Sequence, residues 1–390
     1  MARLSTMAGV AAAGALTFAC AATARAQIAI SANDGKVKLI DGVQTPVPNV
    51  ADTLTILTLS GPSPKVIGEL KVPASVIGPP QSVAIAPDGS IALVTASTKL
   101  DPADPTKTAP DNRVTVIDLT TSPASILATL QAGNGPSGVS INGAGTLALV
   151  ANRFDGTVSV FSIRRKTVAP AGTVDLGAPT SLPGHVVFAR GDRMALVTRN
   201  FDSLISILSI DGTRVEYTKR DLAAGFKPYG IEVTPDGALA LVAHIGAGPT
   251  GGADTVAVID LAADPPRAID QVAVGMTPEG IAISPDGRFV AVTVMNGSNL
   301  AKGSPFLSDH GRLRIFAIRN RTIVPVTEAP IGHWCQGAAW SADTRTLVVQ
   351  CMVERELQVF HFDGRALTAA PPVAVSGGPA GIRTATTIRR

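Results

Sequence analysis

The chain has 390 residues, with 33 Lys and Arg against 30 Asp and Glu and a formal net charge of +3. That balance excludes the basic stripe a nucleic-acid partner requires and the polybasic patch of a membrane-surface protein. Aromatic residues make up only 4% of the chain, so any core must be built from Val, Ile, Leu and Ala.

Residues 1–26 read as a secretory signal peptide. Arg3 supplies the positive end, Met7 to Ala22 is small and apolar, and Ala24-Arg25-Ala26 offers small residues at the −3 and −1 positions before Gln27. The apolar run is short for a bilayer span, and Thr17-Phe18-Ala19 matches poorly the pattern that precedes a lipidated cysteine, here Cys20. Removing the leader with Arg3 and Arg25 leaves 31 basic and 30 acidic residues, a net charge of +1. No later stretch is apolar and long enough to cross a membrane.

From Gln27 onward one phrase recurs. It reads PQSVAIAPDGSIALVTAS from Pro80, PSGVSINGAGTLALVAN from Pro136, PYGIEVTPDGALALVAH from Pro228 and PEGIAISPDGRFVAVTV from Pro278. Degenerate copies start at Pro183 and Cys335. Each copy predicts an inner strand, a tight Asp-Gly-like turn and a second strand. A third strand follows (Val114 to Leu119, Val158 to Ile163, Leu204 to Ile210, Val256 to Leu261, Leu313 to Ile318 and Leu357 to Phe362), then a variable outer strand. A period of about 50 residues with this content predicts an all-β, seven-bladed β-propeller over 27–390. The N-terminal segment lacks an inner strand. Gly377 to Ile382 echoes Gly275 to Ile281, so the C-terminal strand is expected to complete the first blade.

The repeats resemble the YVTN family of β-propellers. The family's Tyr-Val-Thr-Asn run stands here as Leu149-Val150-Ala151-Asn152, Leu196-Val197-Thr198-Arg199, Leu241-Val242-Ala243-His244 and Leu93-Val94-Thr95-Ala96. The resemblance implies a seven-bladed scaffold. It leaves open the activities of its relatives: periplasmic proteins of poorly defined role, 6-phosphogluconolactonase-like propellers and the heavy chain of methylamine dehydrogenase.

The long insertions, Asp34 to Ala51, Thr98 to Asn112, Ile245 to Ala253 and Met295 to Gly311, all fall on one face. Around that mouth, repeat alignment places polar departures where structure alone asks for uniformity: Asn152, Arg199 and His244 at the ends of second strands, and His185, Tyr229 and Glu279 at the starts of inner strands. Such a ring can bind an anion through Arg199 with histidine donors. It can also do acid–base work, with His244 or Glu279 activating water and Arg199 stabilising an oxyanion. Solvated or salt-bridged residues, Arg199 with Glu279 for instance, are the structural alternative.

Cys335 and Cys351 are each eight residues from Asp343 and would face each other in a hairpin centred there. That spacing suits a disulfide in an oxidising compartment, with two buried thiols as the alternative. No Cys-x-x-Cys-His, His-x-x-x-His, His-Glu-x-x-His or Gly-x-Ser-x-Gly occurs. The scattered His310 and His333, and the Asp101, Asp104 and Asp111 loop, match no metal-site spacing, so neither metal nor cofactor is expected.

The expectation is a periplasmic or secreted monomer that binds a small molecule or a protein partner at the loop-bearing mouth. A lactonase-like hydrolase and a non-catalytic subunit of a redox complex are the alternatives.

Overall fold

The structure, a computed structural model, describes Met1, 27–61 and 63–385. The rest of the expected leader, with its cleavage motif and Cys20, lies outside the described residues.

These residues form seven four-stranded antiparallel sheets and two short hairpins. Blade 2 holds Val83–Ile85, Ile91–Thr95, Arg113–Asp118 and Ser125–Gln131, from the axis outward. Blade 3 runs Pro136–Ile141, Leu147–Asn152, Thr157–Arg164 and Thr167–Asp175, and blade 4 Pro183–Ala189, Met194–Arg199, Leu204–Asp211 and Arg214–Leu222. Blade 5 is Pro228–Val233, Leu239–His244, Asp254–Asp260 and Arg267–Gly275. Blade 6 is Pro278–Ile283, Phe289–Val294, Gly311–Arg319 and Thr322–Ile331, and blade 7 Cys335–Trp340, Thr346–Cys351, Glu356–Phe362 and Leu367–Ala374. Blade 1 is closed as the sequence predicts. Its innermost strand is Gly378–Thr384, paired antiparallel with Ile28–Asp34, followed by Thr53–Thr58 and Lys65–Lys71. The ring therefore has no free inner edge to template association.

Second strands such as Leu147–Asn152 and Leu239–His244 are buried along their whole length. Both faces of each sheet meet a neighbour, which is why these strands read as apolar runs rather than alternating ones. Each seam between consecutive blades holds its own apolar cluster, aliphatic in most and aromatic between blades 6 and 7, where Phe289, Trp340 and Phe362 meet. Leu149, Val160, Val186 and Val197 fill one, between blades 3 and 4. Ala29, Leu57, Ala339 and Val348 fill another, between blades 7 and 1, where the ring closes. The outer strands are half exposed, as in Lys65–Lys71.

Threonines at the penultimate position of alternate second strands tie neighbouring inner strands together. Thr198 Oγ1 accepts the His185 N–H at 3.0 Å and donates to the Tyr229 carbonyl at 2.8 Å. Thr293 Oγ1 accepts the Gly280 N–H at 3.0 Å and donates to the Gln336 carbonyl. Inner strands approach so closely that glycine is needed beside any larger residue. A Cβ on Gly138 would fall 2.5 Å from Cδ2 of His185. His185 thus occupies a glycine position of the repeat because blade 3 supplies the glycine.

In blade 7, Cys335 lies directly opposite Cys351 in the strand pair, with Cα atoms 4.0 Å apart, and a disulfide joins them.

Candidate functional site

The channel is closed on its loop-bearing side by the chain itself. Asp34 and Asp52 anchor the segment that does this. Asp34 accepts the Val76 N–H at 2.8 Å, Asp52 accepts the Ala74 N–H at 3.0 Å, and Lys36 bridges both carboxylates at 3.3 and 3.0 Å. Burial pushes the Asp34 carboxyl up, against the pull of Lys36. The chain then dips into the channel at Gly78-Pro79-Pro80-Gln81. Gly78 touches Ser137, Pro79 packs on Gly184 and Pro80 on Gly337. The Gln81 carbonyl accepts the Val139 N–H at 2.9 Å and the Pro80 carbonyl the Ile382 N–H at 3.1 Å. Prolines suit this insertion because their missing N–H leaves no donor stranded in the channel.

A hairpin, Val37–Ile40 with Val43–Pro46, leans over part of the same mouth. Asp41 accepts the Lys302 N–H at 2.8 Å, reaching the blade 6 insertion. Val37, Val76, Met295, Trp334, Met352 and Ala380 pack together beneath it. The loop-bearing face around blades 3 to 5 instead shows exposed aromatics: Phe154 at 37%, Phe201 at 65% and Phe226 at 54%.

Beside the inserted segment, Tyr229, Glu279 and Gln336 stand at equivalent positions of blades 5, 6 and 7. Gln336 Nε2 donates to Glu279 Oε2 at 2.8 Å. Burial raises the Glu279 carboxyl to about 7, with the Gln336 hydrogen bond and the Arg153 charge opposing. Burial and then the Glu279 charge push the Tyr229 phenol up, while Arg153 pulls it down. The Arg153 guanidinium lies 5.9 Å from the Tyr229 ring centroid, and its buried Nη1 has no hydrogen-bond partner. Arg153 was not among the residues the sequence nominated. It sits one residue past the strand end carried by Asn152, where the loop turns over the mouth.

The six nominated residues do not form one ring. Tyr229 and Glu279 share the mouth. His185 is one level deeper in the channel, 1% exposed, and neither ring nitrogen makes a hydrogen bond of good geometry, although the backbone of Ile231 and Val139 is near. Burial first, and then the Arg383 charge, hold it well below the usual histidine range. The second-strand ends point into the seams instead. Asn152 Nδ2 donates to Thr157 and Ser159, each at 2.9 Å. Arg199 bonds Ser206 at 3.2 Å, pairs with Asp221 at 3.4 Å and contacts Asp202, so the suggested Arg199–Glu279 bridge is replaced by seam partners. His244 packs against Gly225 and is lowered to about 4 by burial, with only the Thr255 backbone opposing. The physical reason is the pleat. Last residues of second strands face a neighbouring sheet, and only inner-strand residues reach the axis.

The far side of the channel opens into a cavity of about 390 Å³ where the inner strands reach their turns. His185, Glu232 and Arg383 line it, and Arg383 pairs with Glu232 across the channel. Glu232 and Arg383 were also not nominated. Glu232 occupies an ordinary inner-strand position, and Arg383 lies one residue past the echo that ends at Ile382.

Among the described residues no helix is long and apolar enough to cross a membrane.

No protein-family model and no curated protein sequence matches the chain. Solved structures do. A candidate 6-phosphogluconolactonase from Bacteroides uniformis is 16% identical with a TM-score of 0.71, over 92% of this chain and 99% of that one. The periplasmic gluconolactonase of Pseudomonas aeruginosa is 16% identical with a TM-score of 0.66, over 93% and 99%. Hydrazine synthase of Kuenenia stuttgartiensis is 16% identical with a TM-score of 0.61, over 80% and 90%. At this identity the likeness shows a shared fold, and this chain is a seven-bladed β-propeller.

Proposed function

We propose that this is an exported propeller that binds a small ligand at the loop-bearing mouth, over Glu279, Tyr229 and Arg153. One observation carries the reading: a buried carboxyl shifted to about 7 and a guanidinium nitrogen without a partner converge where the insertions gather. Perturbed groups of opposite character brought together mark a candidate functional site. The exposed Phe154, Phe201 and Phe226 add apolar surface for a ligand ring or a partner on the same face.

Hydrolysis of a lactone is the second reading, favoured by the same carboxyl. A base titrating near neutrality suits removal of a proton from water as the water adds to a lactone carbonyl. Arg153 would face the developing oxyanion, and the ring C–O bond would break to release an alcohol that takes up the proton. The names of the Bacteroides and Pseudomonas neighbours support this class of substrate.

The test is a sugar-lactone panel with mass spectrometry of ligands retained by protein isolated from the periplasm. Turnover abolished by Glu279→Gln supports hydrolysis. Saturable binding weakened by Arg153→Gln, without turnover, supports a binding protein. Absence of a retained ligand, of binding and of turnover overturns both. N-terminal sequencing of the same material, beginning at Gln27, checks export.

A further inference from the structure

We propose that the turn-side cavity is a second ligand site, and that it takes a small hydroxy-carboxylate held by Arg383. It lies at the opposite end of the channel from Glu279 and does not depend on what binds there.

The cavity measures about 390 Å³, enough for several water-sized groups, and Val187, Phe188, Ile141 and Ile283 give it apolar walls. Arg383 enters it from the closing strand. At the same register, blades 2, 6 and 7 carry Ala84, Ala282 and Ala339, which leave the axis free for its side chain. A guanidinium carries five N–H donors in a planar fork. Arg383 uses Nη1 on Glu232 Oε1, and no other hydrogen bond from it to protein occurs among the described residues. Burial lowers its pKa to about 10, so it remains charged at neutral pH. Glu232 cannot close around the remaining donors, because its Oε2 is held by the Ile283 N–H at 2.6 Å.

His185 supplies the second, independent observation. Its ring is 1% exposed, lines the inner end of the cavity, and neither nitrogen makes a hydrogen bond of good geometry, although the backbone of Ile231 and Val139 is near. Buried polar groups are rarely left so. It is close enough to Arg383 to feel its charge. A neutral imidazole offers one donor and one acceptor, which suits a hydroxyl. The other charges nearby are already engaged. Asp192 accepts the Gly143 and Ala144 N–H groups at 3.0 and 3.1 Å, Asp236 accepts Thr234 Oγ1 and the Ala238 N–H at 2.5 and 3.0 Å, and Arg190 donates to the Leu261 carbonyl at 2.9 Å. Arg383 therefore keeps open donors on this space, and His185 stands at its inner end. A carboxylate on the free edge of Arg383 with a hydroxyl on His185 completes both.

The experiment is calorimetric titration of the purified full chain with sodium glycolate, with acetate and chloride as controls at equal ionic strength. The wild type is expected to bind glycolate saturably, acetate more weakly and chloride not at all. Arg383→Gln is expected to weaken glycolate at least about tenfold, the scale of a lost charge-assisted hydrogen bond. Glu232→Gln is expected to tighten it, because a competing carboxylate is removed, and His185→Phe to erase the preference for glycolate over acetate. Glu279→Gln leaves all of this unchanged, which separates the result from the mouth. Wild-type protein that binds no glycolate beyond the chloride control overturns the proposal, as does unaltered affinity in Arg383→Gln. If Arg383→Gln does not fold, Glu232→Gln decides. Tighter glycolate binding supports the site, and unchanged or weaker binding means the pair is only a strut between blades 1 and 5.

Discussion

Arg199 and Arg383 are both largely buried guanidiniums in a chain of almost balanced charge, and they occupy opposite kinds of place. Arg199 lies in a seam, with Ser206, Asp202 and Asp221 around it, and its side chain is 6% exposed. Arg383 lies on the axis with one carboxylate and a cavity, and its side chain is 19% exposed. Blade 4 gives Arg199 several partners from its own strands and loop, although Arg199 Nε and Asp202 Oδ1 keep none. The axis gives Arg383 fewer, because the innermost strands diverge from a common centre. A polar residue in this ring is thus structural or available according to which strand of its blade carries it, and its residue type says little.

The strongest way to break that contrast is to remove the closing strand. A chain ending at Gly377 deprives blade 1 of its inner strand and both its seams of packing. Loss of the cooperative unfolding transition, followed by circular dichroism, is the expected outcome. Next, Arg199→Ala leaves Asp202 and Asp221 without their cation in a partly buried seam. The expected cost is about 3–5 kcal/mol in denaturant unfolding, with ligand retention unaltered in the folded fraction. Reducing the Cys335–Cys351 bond, or replacing both cysteines by Ala, frees a 16-residue separation and should cost roughly 3 kcal/mol by the same measurement.

The smallest effect sharpens the axis side and depends on pH. Glu279 holds its proton more tightly folded than unfolded, so its contribution is full below about pH 4 and is lost as the pH rises through about 7. Glu279→Gln should therefore match the wild type near pH 4 and exceed it by at most about 3 kcal/mol at pH 8. His185 and His244 act with the opposite sign. Both are held neutral when folded, so their contribution is present above about 6.5 and is lost as the pH falls; for His244 that loss runs toward about 4. Thermal melts of the variant and the wild type across this range separate the two slopes.

The ring was legible because its cause is local and repeated. The Pro-x-Gly start, the Asp-Gly turn and the apolar second strand each recur, and the echo between Gly377 to Ile382 and Gly275 to Ile281 gave the closure that the pairing of Ile30 with Arg383 realises. The site was legible only in part. Asn152, Arg199 and His244 stand out in an alignment as sharply as Tyr229 and Glu279 do. A strand buried on both faces has no hydrophobic alternation to show which way each end points. Arg153 escaped because it lies just beyond the repeat, and Glu232 because it occupies an ordinary inner-strand position. Arg383 escaped because its partner is 151 residues away across the axis. Contacts through an axis join residues of unrelated repeats, and no period records them.

The insertion of Gly78 to Gln81 into the channel has a consequence for traffic. Prolines stacked on Gly184 and Gly337 make a stopper in the loop-bearing end of the channel, built from the chain itself. The turn-side cavity is then reached from its own end of the ring, on the far side of the stopper from Glu279.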